Sequence, residues 1–173
     1  MEYGITQAYL DFIGNRRLAP VTEQELAYCW DIQYKRAKLH NIIIAVNSSN
    51  RFSFMVYGLA KKQLWDVDDV MYRAIARMMQ LIGYTNEQVE HYFDLAGRAA
   101  ITATHGPRPE AQLHEVVAFE AHSSQPFDVS AKLQLGISAR LNQLEGKACG
   151  FPDQSAVKPL EAFKADMQRL GVL

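Results

Sequence analysis

The sequence predicts an α+β protein, and three observations carry that prediction. Residues 41–57 read as an antiparallel hairpin, residues 67–82 as an amphipathic helix, and residues 99–103 as a further strand set between helical segments. In the hairpin, Asn41 to Val46 holds a β-branched run and Phe52 to Tyr57 is aromatic and aliphatic with one serine. Asn47, Ser48, Ser49 and Asn50 between them are turn formers, giving a loop of about four residues. A strand with one wet face alternates, whereas Ile42, Ile43 and Ile44 are consecutive, so both faces of that strand should be covered. The expected architecture is therefore a small antiparallel sheet centred on the 41–57 hairpin, joined by 99–103 and covered by several helices. At 173 residues, 49% of them hydrophobic, residues 1–173 are expected to form one globular domain.

The remaining elements follow in chain order. Residues 15–22 are polar and read as a loop. Thr22 and Glu25 have capping-box spacing, which predicts a helix through Tyr34. After the hairpin, Val67, Val70, Met71, Ala74, Ile75, Met78, Met79 and Ile82 recur at steps of three and four, with Asp68, Asp69, Arg73, Arg77 and Gln80 largely opposite. Asp66 is placed to N-cap this helix, Asp69 to complete a box, Trp65 to staple onto Val70, and Gly83 to end it. The acidic start "DVDD" is thereby assigned to capping and the helix dipole rather than to a metal.

The next helix repeats the device, with Thr85 as cap, Gln88 as its box partner and Tyr84 stapling to Val89. After the strand in "RAAITAT", Pro107 and Pro109 fit the first turn of a helix running to about His122. Residues 128–142 carry both periods. Length and the helix formers Ala, Lys, Leu, Gln and Arg favour a helix ended at Gly146. Residues 146–158 read as a loop, and the tail from Pro159, with Leu160, Phe163, Met167 and Leu170, as a closing helix.

Composition removes several function classes. The formal charge is −1, so no global positive field draws in phosphate backbones. The two cysteines, Cys29 and Cys149, lack CxxC spacing, and the start of the chain has no secretory apolar region; reduced thiols in a cytoplasmic protein are expected. Apolar runs fall short of the roughly 20 residues that span a bilayer. There is no G-x-S-x-G, phosphate loop or G-x-G-x-x-G, and no cofactor or metal is expected. Cys29, between Tyr28 and Trp30, reads as a small buried hydrophobe.

The order "TQAYLDFIG", a Trp30-bearing helix, a basic stretch leading into the hairpin, the helix at 67–82, "ITATHGPRP" and a closing "NQLEGKACGF" and "KPLEAF" resembles a bacterial family known only as a domain of unknown function. The family's start, T-K-K-L-L-D-x-L-G, is matched by Thr6, Leu10, Asp11 and Gly14. Its later threonine followed by R-S-V-L-G-S-M-N-D is matched by Thr104 and Arg108. There Pro109 stands for the serine, Gln112 for the glycine and Glu115 for the asparagine, so the resemblance implies architecture and little chemistry.

Two groups of residues are candidates for function. The segment "THGPRPEAQLHEVVAFEAH" holds His105, Glu110, His114 and Glu115, which would serve a metal-assisted hydrolase or nuclease. Its spacing does not place two histidines on one helical face as H-E-x-x-H does. Lys35, Arg36 and Lys38 precede the first hairpin strand, and Lys61 and Lys62 follow the second, so antiparallel pairing brings both groups to one sheet end. The preferred reading is a non-catalytic interaction module that uses this basic end, with a protein partner favoured, nucleic acid as the other acidic partner, and no membrane.

Overall fold

The computed structural model describes residues 1–14, 16–22, 25–37, 39–122, 126–151 and 156–173. Within them the chain forms β1 (Glu2–Ile5), α1 (Gln7–Ile13), β2 (Cys29–Ala37), β3 (His40–Asn47), β4 (Ser53–Tyr57), α2 (Lys61–Trp65), α3 (Val67–Leu81), α4 (Asn86–Ala96), β5 (Ala100–Ala103), α5 (Pro107–His122), α6 (Leu135–Leu141) and α7 (Pro159–Arg169). The α+β class holds. The sheet, however, is mixed and five-stranded, in the order β4-β3-β2-β1-β5, with β1 parallel to both β2 and β5. The hairpin β3–β4 thus lies to one side, and β5 joins at the far edge.

Both edges are covered, which removes unpaired strand groups from solvent. Along β4, the Tyr57 amide donates to the Lys132 carbonyl (2.7 Å) and the Gln134 amide to that of Met55 (2.9 Å). Along β5, the Ala19 amide donates to the Ile101 carbonyl (2.8 Å).

Residues 29–37 correct the helix expected from Thr22 through Tyr34. They form β2, preceded by a 3-10 turn at Leu26–Tyr28. Trp30, Ile32 and Tyr34 alternate with Cys29, Asp31, Gln33 and Lys35, and the strand supplies the partner that β1 and β3 both need. The box residues are used elsewhere: the Thr22 hydroxyl bonds Glu2, while Glu25 accepts from the Ala27 amide at 3.4 Å.

Pleating sorts the sheet into two unlike faces. Tyr3, Ile5, Trp30, Ile32, Ile43, Ala45, Phe54, Val56 and Ile101 belong to the larger core, built with apolar side chains of α1, α3, α4 and α7. On the other face Ile42, Ile44, Val46, Met55 and Tyr57 meet Leu113 and Val116 of α5 and Ile137 and Leu141 of α6. The consecutive isoleucines are buried from both sides, as their pattern required.

Most helix expectations are met, with differences at the ends. Thr85 and Gln88 form their box, and Pro159 opens α7. Asp66 makes no side-chain capping bond; α2 ends at this same residue, whose backbone amide donates to the Lys62 carbonyl. Asp69 pairs with Arg73 instead, and Trp65 is about half exposed beneath the Arg16 guanidinium. In 128–142 only Leu135–Leu141 is helical, since the preceding residues are drawn out along β4, where Leu133 bridges to Val56. No helix among the described residues is long and apolar enough to cross a membrane.

Candidate functional site: a buried polar cluster behind a cationic cleft

The second sheet face changes character as it crosses from β3 to β5. Register partners place Ser53, Val46, Asp31, Gly4 and Thr102 in one row across all five strands, and Cys29, Glu2 and Ala100 in another. Apolar packing ends at Val46, and beyond it Asp31, Glu2 and Thr102 are buried polar groups, with the Cys29 thiol buried beside them.

Three residues past β5 the chain turns at Gly106, whose φ of 99° suits a residue without Cβ, and His105 folds back over this row. Its ring lies between two carboxylates, with Nδ1 3.0 Å from Asp31 Oδ1 and Nε2 3.0 Å from Glu2 Oε2. Asp31 also accepts from the His105 amide (3.1 Å) and the Ser48 hydroxyl (3.0 Å). The second Glu2 oxygen accepts from the Thr22 amide (3.1 Å) and hydroxyl.

The Glu2, Asp31 and His105 side chains are each no more than 2% exposed. Burial alone would depress the imidazole pKa. Hydrogen bonds to Asp31 and Cys29 and the Asp31 charge outweigh it and raise His105 to about 10. Each ring nitrogen faces a carboxylate oxygen, so neither is free for general-base work.

Gly4 makes this possible sterically. A Cβ there would stand 2.3 Å from Asp31 Oδ1, 2.9 Å from His105 Nδ1 and 3.0 Å from the Ala103 carbonyl oxygen.

The loop of the hairpin connects the cluster to the surface. Asn47, Ser48, Ser49 and Asn50 are all buried, unlike most loop tips. The two asparagines are met internally, as Asn47 Nδ2 donates to the Ala27 carbonyl (2.9 Å) and Asn50 Nδ2 to Asp166 (2.8 Å), whereas the buried Ser49 Oγ has no partner among the described residues. Ser48 touches the cluster, the Ser49 carbonyl accepts from the Gly150 amide at 2.8 Å, and Arg51 reaches a surface cleft.

That cleft, about 750 Å³, is lined by Arg51, Arg108, Gln112, Glu115, Lys147 and Cys149 among others. Arg51 is the only described residue other than glycine with positive φ, at 65°. Its guanidinium donates to the Lys147 carbonyl (3.2 Å), pairs with Glu115 (2.8 Å), and occupies space that a Cβ on Gly146 would fill. Gln112 Nε2 donates to the Lys147 carbonyl (3.0 Å) and to Cys149 Sγ (3.1 Å), while burial pushes the Cys149 thiol pKa up. Arg51 Nε and Gln112 Oε1 are buried without partners among the described residues.

A family model described as a domain of unknown function, DUF6933, matches residues 3–154. The chain belongs to the DUF6933 family. No curated protein and no solved structure matches it. The matched span takes in Asp31, Arg51, His105, Arg108 and Cys149 and begins one residue after Glu2.

The residues singled out from the sequence are spread across this DUF6933 fold. His105 sits in the cluster, Glu110 is half-buried, and His114 and Glu115 are exposed on α5, with Glu115 taken by Arg51. Among the described residues, the one grouping of three or more His, Cys, Asp or Glu donors within 4.8 Å is Glu2, Cys29 and His105, so the other three do not join His105.

Thr104 is half-buried beside the cluster and Arg108 is exposed in the cleft. The basic groups do meet at one sheet end, as β3 pairs with both β2 and β4. Lys35 is bound to Glu120 and Lys61 lies over the Phe12 ring; Arg36 and Lys62 are exposed, and Lys38 lies outside the described residues. Sequence reasoning missed Glu2 and Asp31. The available signal was a charged residue between Trp30 and Ile32, a pattern hidden once that stretch was read as helix.

Proposed function

We propose that this DUF6933 protein is a non-catalytic interaction protein that receives a carboxylate-bearing segment of a protein partner in the cleft of Arg51, Arg108 and Lys147. The observation that carries this reading is Arg51, a non-glycine residue in the left-handed region whose guanidinium is wedged against Gly146 with Nε unpartnered. Strained, incompletely satisfied polar groups concentrate where a ligand completes them. Arg108 and Lys147 add positive charge, and the volume falls within the range of small-ligand pockets.

A peptide is favoured over nucleic acid because Glu115 and Glu145 interrupt the cationic lining, and a phosphate backbone needs a continuous positive track. A hydrolytic reading gains no support from His105, whose nitrogens are both engaged, or from Glu115, which is ion-paired.

The basic sheet end is the second surface of the same sign, and one experiment separates the two. Fluorescence anisotropy with a fluorescein-labelled hexaglutamate peptide should report binding that weakens with salt. Arg108→Glu should weaken it at least about tenfold, given that each 1.4 kcal/mol is a factor of ten. Combined reversal of Lys35, Arg36, Lys61 and Lys62 should leave it within about twofold. Loss only in the sheet-end variant would move the site there, and no binding by the wild type would defeat the proposal.

A further inference from the structure

Cys29 is buried on the cluster face, where its Sγ makes a long contact, 3.6 Å, to the Glu25 carbonyl oxygen and lies beside the His105 ring. That sulfur, a Glu2 carboxylate oxygen and a His105 ring nitrogen all lie within 4.8 Å of one another. We infer that Glu2, Cys29 and His105 form a binding site for a divalent transition metal, with zinc the ion that best suits them.

The donor set is the first argument. A thiolate, an imidazole and a carboxylate together match zinc, whereas magnesium and calcium prefer shells of oxygen. Ligands about 2 Å from a tetrahedral ion lie roughly 3.5 Å apart, so small side-chain shifts close this set around one.

The scaffold is the second. Glu2 and Cys29 are register partners on adjacent strands, and His105 comes from the turn between β5 and α5, so three chain segments fix the donors independently. The third is the surrounding shell. Asp31 holds His105 Nδ1, Nε2 lies 3.0 Å from Glu2 Oε2, and Thr22 holds the second Glu2 oxygen. A carboxylate behind a metal-bound imidazole is the usual device for orienting the ring.

Binding replaces the proton between His105 Nε2 and Glu2 and the thiol proton of Cys29, and both protons leave to solvent. The site has no local sequence signature, because the three donors are separated by more than 20 residues at each step and converge only through the register of β1 with β2 and the turn after β5.

The test uses the full chain, purified without a polyhistidine tag or chelator. Elemental analysis should find close to one zinc per chain. After metal removal, cobalt chloride should produce a cobalt–thiolate charge-transfer band. Cys29→Ser should lose the zinc and the band while keeping the far-ultraviolet circular dichroism of the wild type, and Cys149→Ser should keep both. Arg108→Glu, outside the cluster, should also keep both, which separates this inference from the cleft proposal. Less than about a tenth of an equivalent of zinc, with no thermal protection by added zinc chloride, would overturn the inference, as would retention of metal by Cys29→Ser or its loss in Cys149→Ser.

Discussion

Replacing Gly4 with alanine tests the cluster most directly, because the substitution adds one methyl group where three atoms already stand. The new Cβ would lie 2.3 Å from Asp31 Oδ1, 2.9 Å from His105 Nδ1 and 3.0 Å from the Ala103 carbonyl oxygen. The carbonyl is backbone in a paired strand and cannot withdraw, so Asp31 and His105 must. Moving Asp31 strains its bonds to the His105 amide, the His105 ring and the Ser48 hydroxyl together. Overpacking costs about 1–3 kcal/mol, and each weakened bond to a buried charge about 1.5–3 kcal/mol. Allowing for partial relaxation, a total of about 4 kcal/mol is expected, a large share of a typical domain's stability. For a chain of this length that lowers the melting temperature by about 10 °C. Gly14→Ala is the control: φ there is 82° and nothing lies within 4 Å of the new Cβ. With ψ at 160°, it should cost only the backbone strain of a region open essentially to glycine, about 1–3 kcal/mol. Thermal and urea denaturation followed by circular dichroism measure both. A Gly4→Ala protein melting within 2 °C of the wild type, or one no worse than Gly14→Ala, would refute the close approach of Asp31 and His105 to β1.

Two further predictions concern the frame around the cluster. Ile43→Asp and Ile42→Asp place a charge in the larger and the smaller core respectively, so both should abolish cooperative unfolding; a cooperative melt from either would show that one sheet face is wet. Thr85→Ala removes a formed box and should cost about 1 kcal/mol in urea titration, whereas Asp66→Ala removes no capping bond and should cost less than about 0.5 kcal/mol. Equal losses would mean that Asp66 caps α3 after all.

The parts of this fold that were legible in the sequence are those whose signals are local. The three-and-four spacing of α3, the Thr85 box and the isoleucine run each arise from residues within a turn or a strand of one another. β2 failed because two local signals conflict: a capping-box spacing at Thr22 and an alternation from Trp30 to Tyr34. The outcome was set by strands β1 and β3, whose backbone groups pair with it. The candidate site is less legible still. His105 and Arg108 were visible as chemistry in an unusual segment, but Glu2 and Asp31 reach His105 only across strand register, at separations of 103 and 74 residues.

That same register gives the buried charges a role beyond the energy they contribute, which for ion pairs in a protein interior is small once desolvation is counted. A one-residue slip of β2 would turn Trp30 toward His105 and Asp31 into the larger core, exchanging every side chain between unlike faces. An apolar cluster would penalise such a slip weakly; Asp31, bonded to His105 and Ser48, penalises it strongly. Because Ser48 opens the buried loop that continues through Ser49 to Arg51, the register fixed at the cluster also fixes where the Arg51 guanidinium enters the cleft. The polar residues of the hairpin loop, read from the sequence as turn formers, thus hold the sheet and the surface cleft in one relative position.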